Sequence, residues 1–456
     1  MCARDGLVPA LQAIVGPEAL LAEEAAAPYA IEGVAPKAVV FPEEEAQVAE
    51  VLRVADAHGA SVFPRGGGSH MDLGYPPVQV DVVLCLERLS RHLAYVPADL
   101  TTTVQAGMRL ADLQQRLRQE GQFLALDPPA RELTTLGGMV AANLSGPRRL
   151  LYGTARDMVL GTAVITVEGK RAKAGGRVVK NVTGYDLNKL YIGSLGTLAV
   201  IVELTFKLYP LPPGEHTVGI AVAHHKDLLP ILQALRQTPL RLNSLELLNG
   251  AAIDFLAARS GVPAPQTPYL VLARVEGTPA VTRQQQEKIA TALRRLPLHR
   301  SCQLLTWEPA QQGRLWQEIE EFPSSVYAQA PQSAVCKVSV LMSALPALFA
   351  TLQEAEGHAG QGWPALAHAG SGIAYVSLTA PPLADPVAEL VQQLHAFDRQ
   401  VTALGGYRVL LHAPVAVKQR CQVWGPPRDD FPLMQALKAA FDPRRRLNPG
   451  RFIGGL

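Results

Sequence analysis

The chain has 456 residues, 48% hydrophobic and 18% charged, with a formal net charge of +2. That composition supports folded domains with large cores and excludes a disordered chain. The near-neutral balance provides no global field to draw nucleic acid or an anionic membrane surface, and the length predicts two or three domains.

Residues 1–30 read as one or two short amphipathic helices. A strand over Lys37–Phe41 follows, stopped by Pro42. From Glu43 to His58 the apolar positions Val48, Val51, Leu52 and Ala55 recur at helical spacing, and Ala60–Phe63 is a second strand. This β–α–β unit runs straight into a glycine cluster. Further strands are predicted at Val80–Leu84 and Thr101–Val104, then a helix over Leu110–Glu120 that Gly121 ends. Residues 127–160 are rich in Gly, Pro, Asn and Arg with little apolar period, the pattern of a functional loop region. Leu160–Val167 and Leu198–Leu208 are strong strands, and PLPPGEH (Pro210–His216) reads as a domain boundary. Beyond it, strands at Tyr269–Val275, Val335–Leu341, Ile373–Leu378 and Tyr407–Leu411 alternate with helices at Lys226–Gln237, Val281–Leu296 and Pro386–Leu404, as in an α+β domain built on one sheet. Phe431–Leu456 is a helix with a basic, proline-containing tail.

Cys2, Cys85, Cys302, Cys336 and Cys421 are scattered and no CxxC pair occurs. A structural zinc site, an iron–sulfur cluster and a disulfide framework are therefore unexpected, which suits a reducing compartment. The N-terminus lacks the basic start and long apolar run of a secretory signal. No stretch reaches the ~20 apolar residues that span a bilayer, so a cytoplasmic protein is expected.

Two glycine-rich clusters carry the chemistry. PRGGGSH, Pro64–His70, follows a strand directly; its three glycines let backbone N–H groups close around phosphate oxygens, with Arg65 and Ser69 as further donors. It fits neither GxGxxG nor GxxxxGK[ST], so a Rossmann site and a P-loop are poor fits. TTLGGMVAANLSGPRRLLYGTARD, Thr134–Asp157, adds Gly137 and Gly138 for close approach, Asn143 and Ser145 for hydrogen bonds, Gly146 and Gly153 for turns, and Arg148, Arg149 and Arg156 for charge. Taken alone, the arginines also read as a solvated face. Two such clusters flanked by strands suggest one long ligand held at several points.

With GGRVVKNVTGYDLNKL, GSLGTL and the C-terminal FDPRRRLNPGRF, the ordered set resembles the PCMH-type FAD-binding domain of the vanillyl-alcohol oxidase superfamily. Within it the chain is most similar to the E subunits of glycolate oxidase (glycolate dehydrogenase). The resemblance is dense from about residue 35 to 213, thin from 217 to 400, and returns at the C-terminus. It implies an α+β protein: a helical segment at 1–34, a PCMH-type FAD-binding domain of two α/β subdomains at 35–213, an α+β substrate or cap domain with an antiparallel sheet at 217–430, and a segment at 431–456 that returns to the flavin.

The resemblance also implies roles. The loop of Arg65, Gly66, Gly67, Gly68 and Ser69 would hold the FAD pyrophosphate, with His70 beside it. Gly137, Gly138, Asn143, Ser145 and Gly146 would line the flavin and ribityl chain; Gly153 and Asp157 would shape that loop; the strand at Ile165 would pass the adenine; and Asn448 would fold back toward the isoalloxazine ring. Some members link FAD to a histidine four residues after an arginine. Ser69 holds that position here and His70 comes one later, so the FAD is expected to be non-covalent.

Related 2-hydroxy acid dehydrogenases carry a metal motif, HxGDGNxH, and a later EHG. This chain has HAGSGIAY, His368–Tyr375, with Ser371 for the aspartate and Tyr375 for the second histidine, and no EHG follows. No metal is expected. Lys337 stands where relatives face the active site and suits a substrate carboxylate, and His412 is a candidate base; an exposed strand lysine and a core histidine are the plainer alternatives. The implied function is oxidation of a small 2-hydroxy acid, glycolate first, by an FAD subunit working with a D-type flavin subunit and an iron–sulfur F-type subunit. A stand-alone D-lactate or 2-hydroxy acid dehydrogenase and a flavin-binding scaffold subunit are the alternatives.

Overall fold

The computed structural model describes residues 6–177, 185–299, 302–359, 362–380 and 385–456. The stretch 178–184, inside the GGRVVKNVTGYDLNKL motif, lies outside the described residues. The chain divides into two compact units, one of Met1–Leu144, Thr154–Leu211 and Pro426–Leu456, the other of Ser145–Gly153 and Pro212–Gly425. Residues 1–34 are thus part of the first unit, and the nine residues Ser145–Gly153 leave it for the second.

The first unit contains two main sheets among its described residues, besides a two-stranded pair of Gln122–Phe123 with Tyr209–Pro210. In the smaller, strands run in the order Leu20–Ala22, Ala38–Val40, Val82–Cys85, Val62–Arg65, with the last three parallel. Parallel neighbours need a crossover, which the helix Glu45–Ala57 supplies. Its stripe of Val48, Val51, Leu52 and Ala55 is buried against Ala38, Val40, Val62 and Val82. Each such Val or Leu contributes about 2 kcal/mol over exposure. A reciprocal Glu44–Gln47 capping box starts the helix. The larger sheet is antiparallel, ordered His92–Val96, Thr101–Gln105, Val200–Lys207, Val159–Ile165, Arg171–Gly175.

The second unit is built on one antiparallel sheet, in the order Gln303–Leu305, Glu215–Val222, Tyr269–Glu276, Leu242–Asn249, Ala365–His368, Ile373–Leu378, Ala334–Ser339, Tyr407–His412. Helices Gly250–Ser260 and Pro309–Gln329 cover one face, where Leu256, Trp316, Ile319 and Phe322 meet Leu248, Leu272, Val335, Leu366 and Tyr375. The sequence reading had missed the strands at Glu215–Val222 and Leu242–Asn249. Leu242–Asn249 is buried at every position, so its sequence, LNSLELLN, carries no two-residue alternation. No helix among the described residues is long and apolar enough to cross a membrane.

Candidate functional site

In the first unit, the strand Val62–Arg65 ends at the triple glycine. A Cβ at Gly66 would lie 2.0 Å from Thr135 Oγ1, one at Gly67 would lie 1.7 Å from the Leu133 carbonyl oxygen, and Gly68 has φ 81°. Only glycine fits these positions. Among the described residues, none of the backbone N–H groups of Gly66–Ser69 finds a protein acceptor. They form a row of donors at the rim of a cleft that Ser69, His70, Met71, Leu195 and Asn448 also line. A second cleft, lined by Arg65, Leu86, Ala106, Gly137 and Ile201, shares Pro64, Gly66, Thr135, Gly138, Ala141 and Leu195 with the first. The two make one long groove.

Side chains fix this backbone. Thr135 caps the helix Leu136–Ala141 by accepting from the Gly138 N–H, and Gly137 sits where a Cβ would reach 2.7 Å from the Ala106 methyl. Ser69 Oγ bonds Thr134 Oγ1 at 3.3 Å and His70 Nδ1 at 2.9 Å. Arg65 turns its guanidinium to Glu87, at 2.7 Å, and over the ring of Tyr29. Its part in the groove is therefore to anchor the loop.

The C-terminus completes the groove. Leu447 bridges to Val62, and Asn448, at φ 43°, donates its N–H to the Val62 carbonyl and its Nδ2 to the Leu195 carbonyl at 2.5 Å. Buried Lys438 donates to Asp442, Thr197 O and Leu447 O at 2.7–2.9 Å, so its charge is both paired and fully hydrogen-bonded. Arg451 donates to the carbonyls of Met71, Leu73 and Tyr75, the continuation of the glycine loop. The burial of Lys438 and Arg451 was not legible in the sequence; cations in a basic tail give no signal of it.

Asn143 has φ 49° and a buried Oδ1 with no hydrogen-bond partner in the protein. Asp157 accepts from the N–H and hydroxyl of Thr154, capping a short helix, and Ile165 lies in the core opposite Val200. Ser145, Gly146 and Gly153 belong to the second unit and line neither cleft.

In the second unit, strand register assembles a polar patch. Glu246 stands opposite His368, and Tyr375 opposite Leu366 and Lys337. His368 Nδ1 lies 2.8 Å from Glu246 Oε2, and Tyr375 meets the imidazole edge-on at 5.3 Å. Burial, with repulsion from Arg149 and Lys337, holds His368 well below the usual histidine range. Burial, with Arg149 adding, pushes Lys337 down to about 8. His412 is buried at the far edge strand and stacks on Tyr327 at 4.7 Å. Among the described residues no group of three or more His, Cys, Asp or Glu could hold a metal ion. With Tyr375 packed against His368, the donor set does not fit one.

Two family models match the chain, the FAD binding domain over residues 36–175 and the FAD linked oxidases C-terminal domain over residues 211–452. The second covers more than half of the sequence. The chain belongs to the FAD-linked oxidases. It is similar to a D-2-hydroxyglutarate dehydrogenase of Xanthomonas citri pv. viticola, 30% identical over 92% of this chain and 89% of that protein. It is also similar to glycolate oxidase subunit GlcE of Escherichia coli, 46% identical but over only 26% of this chain and 34% of that one. The fold matches p-cresol methylhydroxylase with a TM-score of 0.76 at 17% identity, covering 98% of this chain and 96% of that one.

As a member of this family the protein is an FAD-dependent oxidoreductase with the PCMH-type fold. Its first unit fits the cofactor: a cradle from which a Cβ is excluded, unpartnered N–H donors at its rim, and apolar walls at Leu195 and Ala141. The likeness to an E subunit covers only 26% of the chain, whereas the dehydrogenase alignment runs nearly end to end.

Proposed function

We propose that the protein oxidises a small 2-hydroxy acid, glycolate in the first instance, to the 2-oxo acid. The observation that carries this reading is the polar patch of the second unit, where Lys337 stands opposite Tyr375, which packs on the His368–Glu246 pair, in a chain aligned over nearly its whole length with a D-2-hydroxyglutarate dehydrogenase. FAD supplies the acceptor for the hydride that leaves the carbon bearing the hydroxyl. Gly66–Ser69 would hold its pyrophosphate non-covalently, with Gly137, Gly138 and Asn448 along the groove and Asn143 as a further contact. Lys337 pairs with the substrate carboxylate. His368 takes the hydroxyl proton: its Nδ1–H donates to Glu246, which leaves Nε2 as the basic atom, and its depressed pKa keeps it neutral. His412, stacked on Tyr327, supports the edge strand.

The local likeness to a glycolate oxidase subunit supports work in a complex with a D-type flavin subunit and an iron–sulfur F-type subunit. A second reading, a stand-alone dehydrogenase for D-lactate or another 2-hydroxy acid, is favoured by the end-to-end alignment. Anaerobic addition of glycolate, D-lactate and D-2-hydroxyglutarate, separately, to the purified chain tests both. Bleaching of the flavin spectrum by one acid identifies the substrate and supports stand-alone turnover. A spectrum that bleaches only after partner subunits are added supports the complex. No bleaching under either condition overturns the proposal.

A further inference from the structure

Ser145–Gly153 sits in sequence between two stretches of the first unit yet belongs to the second. Its anchors are specific. Tyr152 donates its hydroxyl to both oxygens of Glu276, at 2.7 and 2.8 Å, and Arg148 pairs with Glu215 at 2.9 Å. Leu150 lies against Gly370, where a Cβ would come within 2.5 Å of Leu150 Cδ1. These contacts carry Arg149 to the turn that follows His368.

There Arg149 differs from its neighbours. Arg148 and Arg274 share Glu215, and Arg241 faces Glu276. Arg149 donates only to neutral atoms of its own turn, Ser145 Oγ at 2.7 Å, the Ser145 carbonyl, and Gly146 O at 3.2 Å, and its Nη1 meets no protein acceptor among the described residues. Lys337 Nζ meets none either. Each of the two cations acts on His368, and Arg149 acts on Lys337. Two half-buried like charges acting on one histidine are unfavourable until an anion joins them.

We propose, on the functional reading above, that Arg149 binds the carboxylate of the 2-hydroxy acid and forms with Lys337 a two-cation site on the second unit. A planar carboxylate offers one oxygen to guanidinium Nη1 and one to the ammonium. The pair supplies the positive charge for which relatives with the HxGDGNxH motif use a metal ion. This chain instead places Ser371 and Tyr375 at two of those positions.

The test is calorimetric titration of the FAD-loaded full chain with oxalate, a small carboxylate that cannot be oxidised by hydride loss, in the presence of EDTA. The wild type is expected to bind. Arg149→Gln is expected to bind about 30-fold more weakly with its flavin spectrum unchanged, and Arg149→Lys to recover part of the loss. Arg149→Gln binding as tightly as the wild type overturns the inference, and leaves the functional reading standing if a hydroxy acid still bleaches the flavin. Wild-type binding that EDTA abolishes overturns it in favour of a metal. Loss of flavin from Arg149→Gln overturns it in favour of a role in folding. Neither oxalate binding nor bleaching in the wild type brings down both proposals.

Discussion

In the first unit the groove is walled mainly by backbone: Gly66 and Gly67 approach Thr135 and Leu133 so closely that no side chain fits, and the donors at the rim are peptide N–H groups. In the second unit the polar face is made of side chains, Glu246, His368, Lys337 and Arg149, delivered by strand register and one packed turn. The contrast has a physical basis. A cofactor common to many enzymes is held by groups that any sequence with the right glycines can present, whereas a substrate is selected by charges that vary from chain to chain.

Three substitutions probe that division. The largest effect is expected from Gly67→Ala, whose methyl would sit 1.7 Å from a backbone oxygen that cannot move aside cheaply. The flavin-to-protein ratio in its visible spectrum should fall close to zero; a fully yellow variant would show that the loop is more pliable than its geometry implies. Lys337→Met should leave the flavin ratio alone and slow bleaching by substrate about 100-fold, equivalent to about 3 kcal/mol. Its pH profile sharpens the point. Lys337 titrates near 8, down from 10.5, so it is charged below pH 8 and loses its charge as the pH rises through that value. The carboxylate of a substrate stays ionised throughout, so KM should rise by up to about tenfold per pH unit above 8. The Met variant should lack that rise. The smallest effect belongs to a side chain in the backbone-built groove: Thr135→Ala removes a helix cap and should cost about 1 kcal/mol in urea unfolding, with flavin retained.

The two regions also differed in how much the sequence revealed. The β–α–β unit and its loop were readable because the helix Glu45–Ala57 buries one clean stripe and three consecutive glycines have few other uses. Ser145, Gly146 and Gly153 were read as parts of the cofactor loop, yet they lie with the second unit. A glycine announces a backbone conformation, and its neighbour in space is set by distant residues such as Glu215 and Glu276. Lys337 was reached only through resemblance. Arg149 was read with Arg148 and Arg156 as charge near a ligand or as a solvated face, because the absence of a carboxylate beside it becomes visible only once strand register has paired Glu246 with His368 and Tyr152 has taken Glu276.

The threading of the chain also sets an order of assembly at the ribosome. Every residue of the second unit has been synthesised by Gly425, whereas the first unit still awaits Pro426–Leu456. Those last residues bring Lys438, which ties the tail to Thr197, Asn448, which is held against Val62 and Leu195, and Arg451, which holds the carbonyls behind the glycine loop. Domains fold as their residues emerge. The nascent protein therefore completes its second unit before the residues that close the groove of the first have been made, so a chain cut short before Lys438 would keep every residue of the second unit and lack the contacts that Lys438, Asn448 and Arg451 make to the groove.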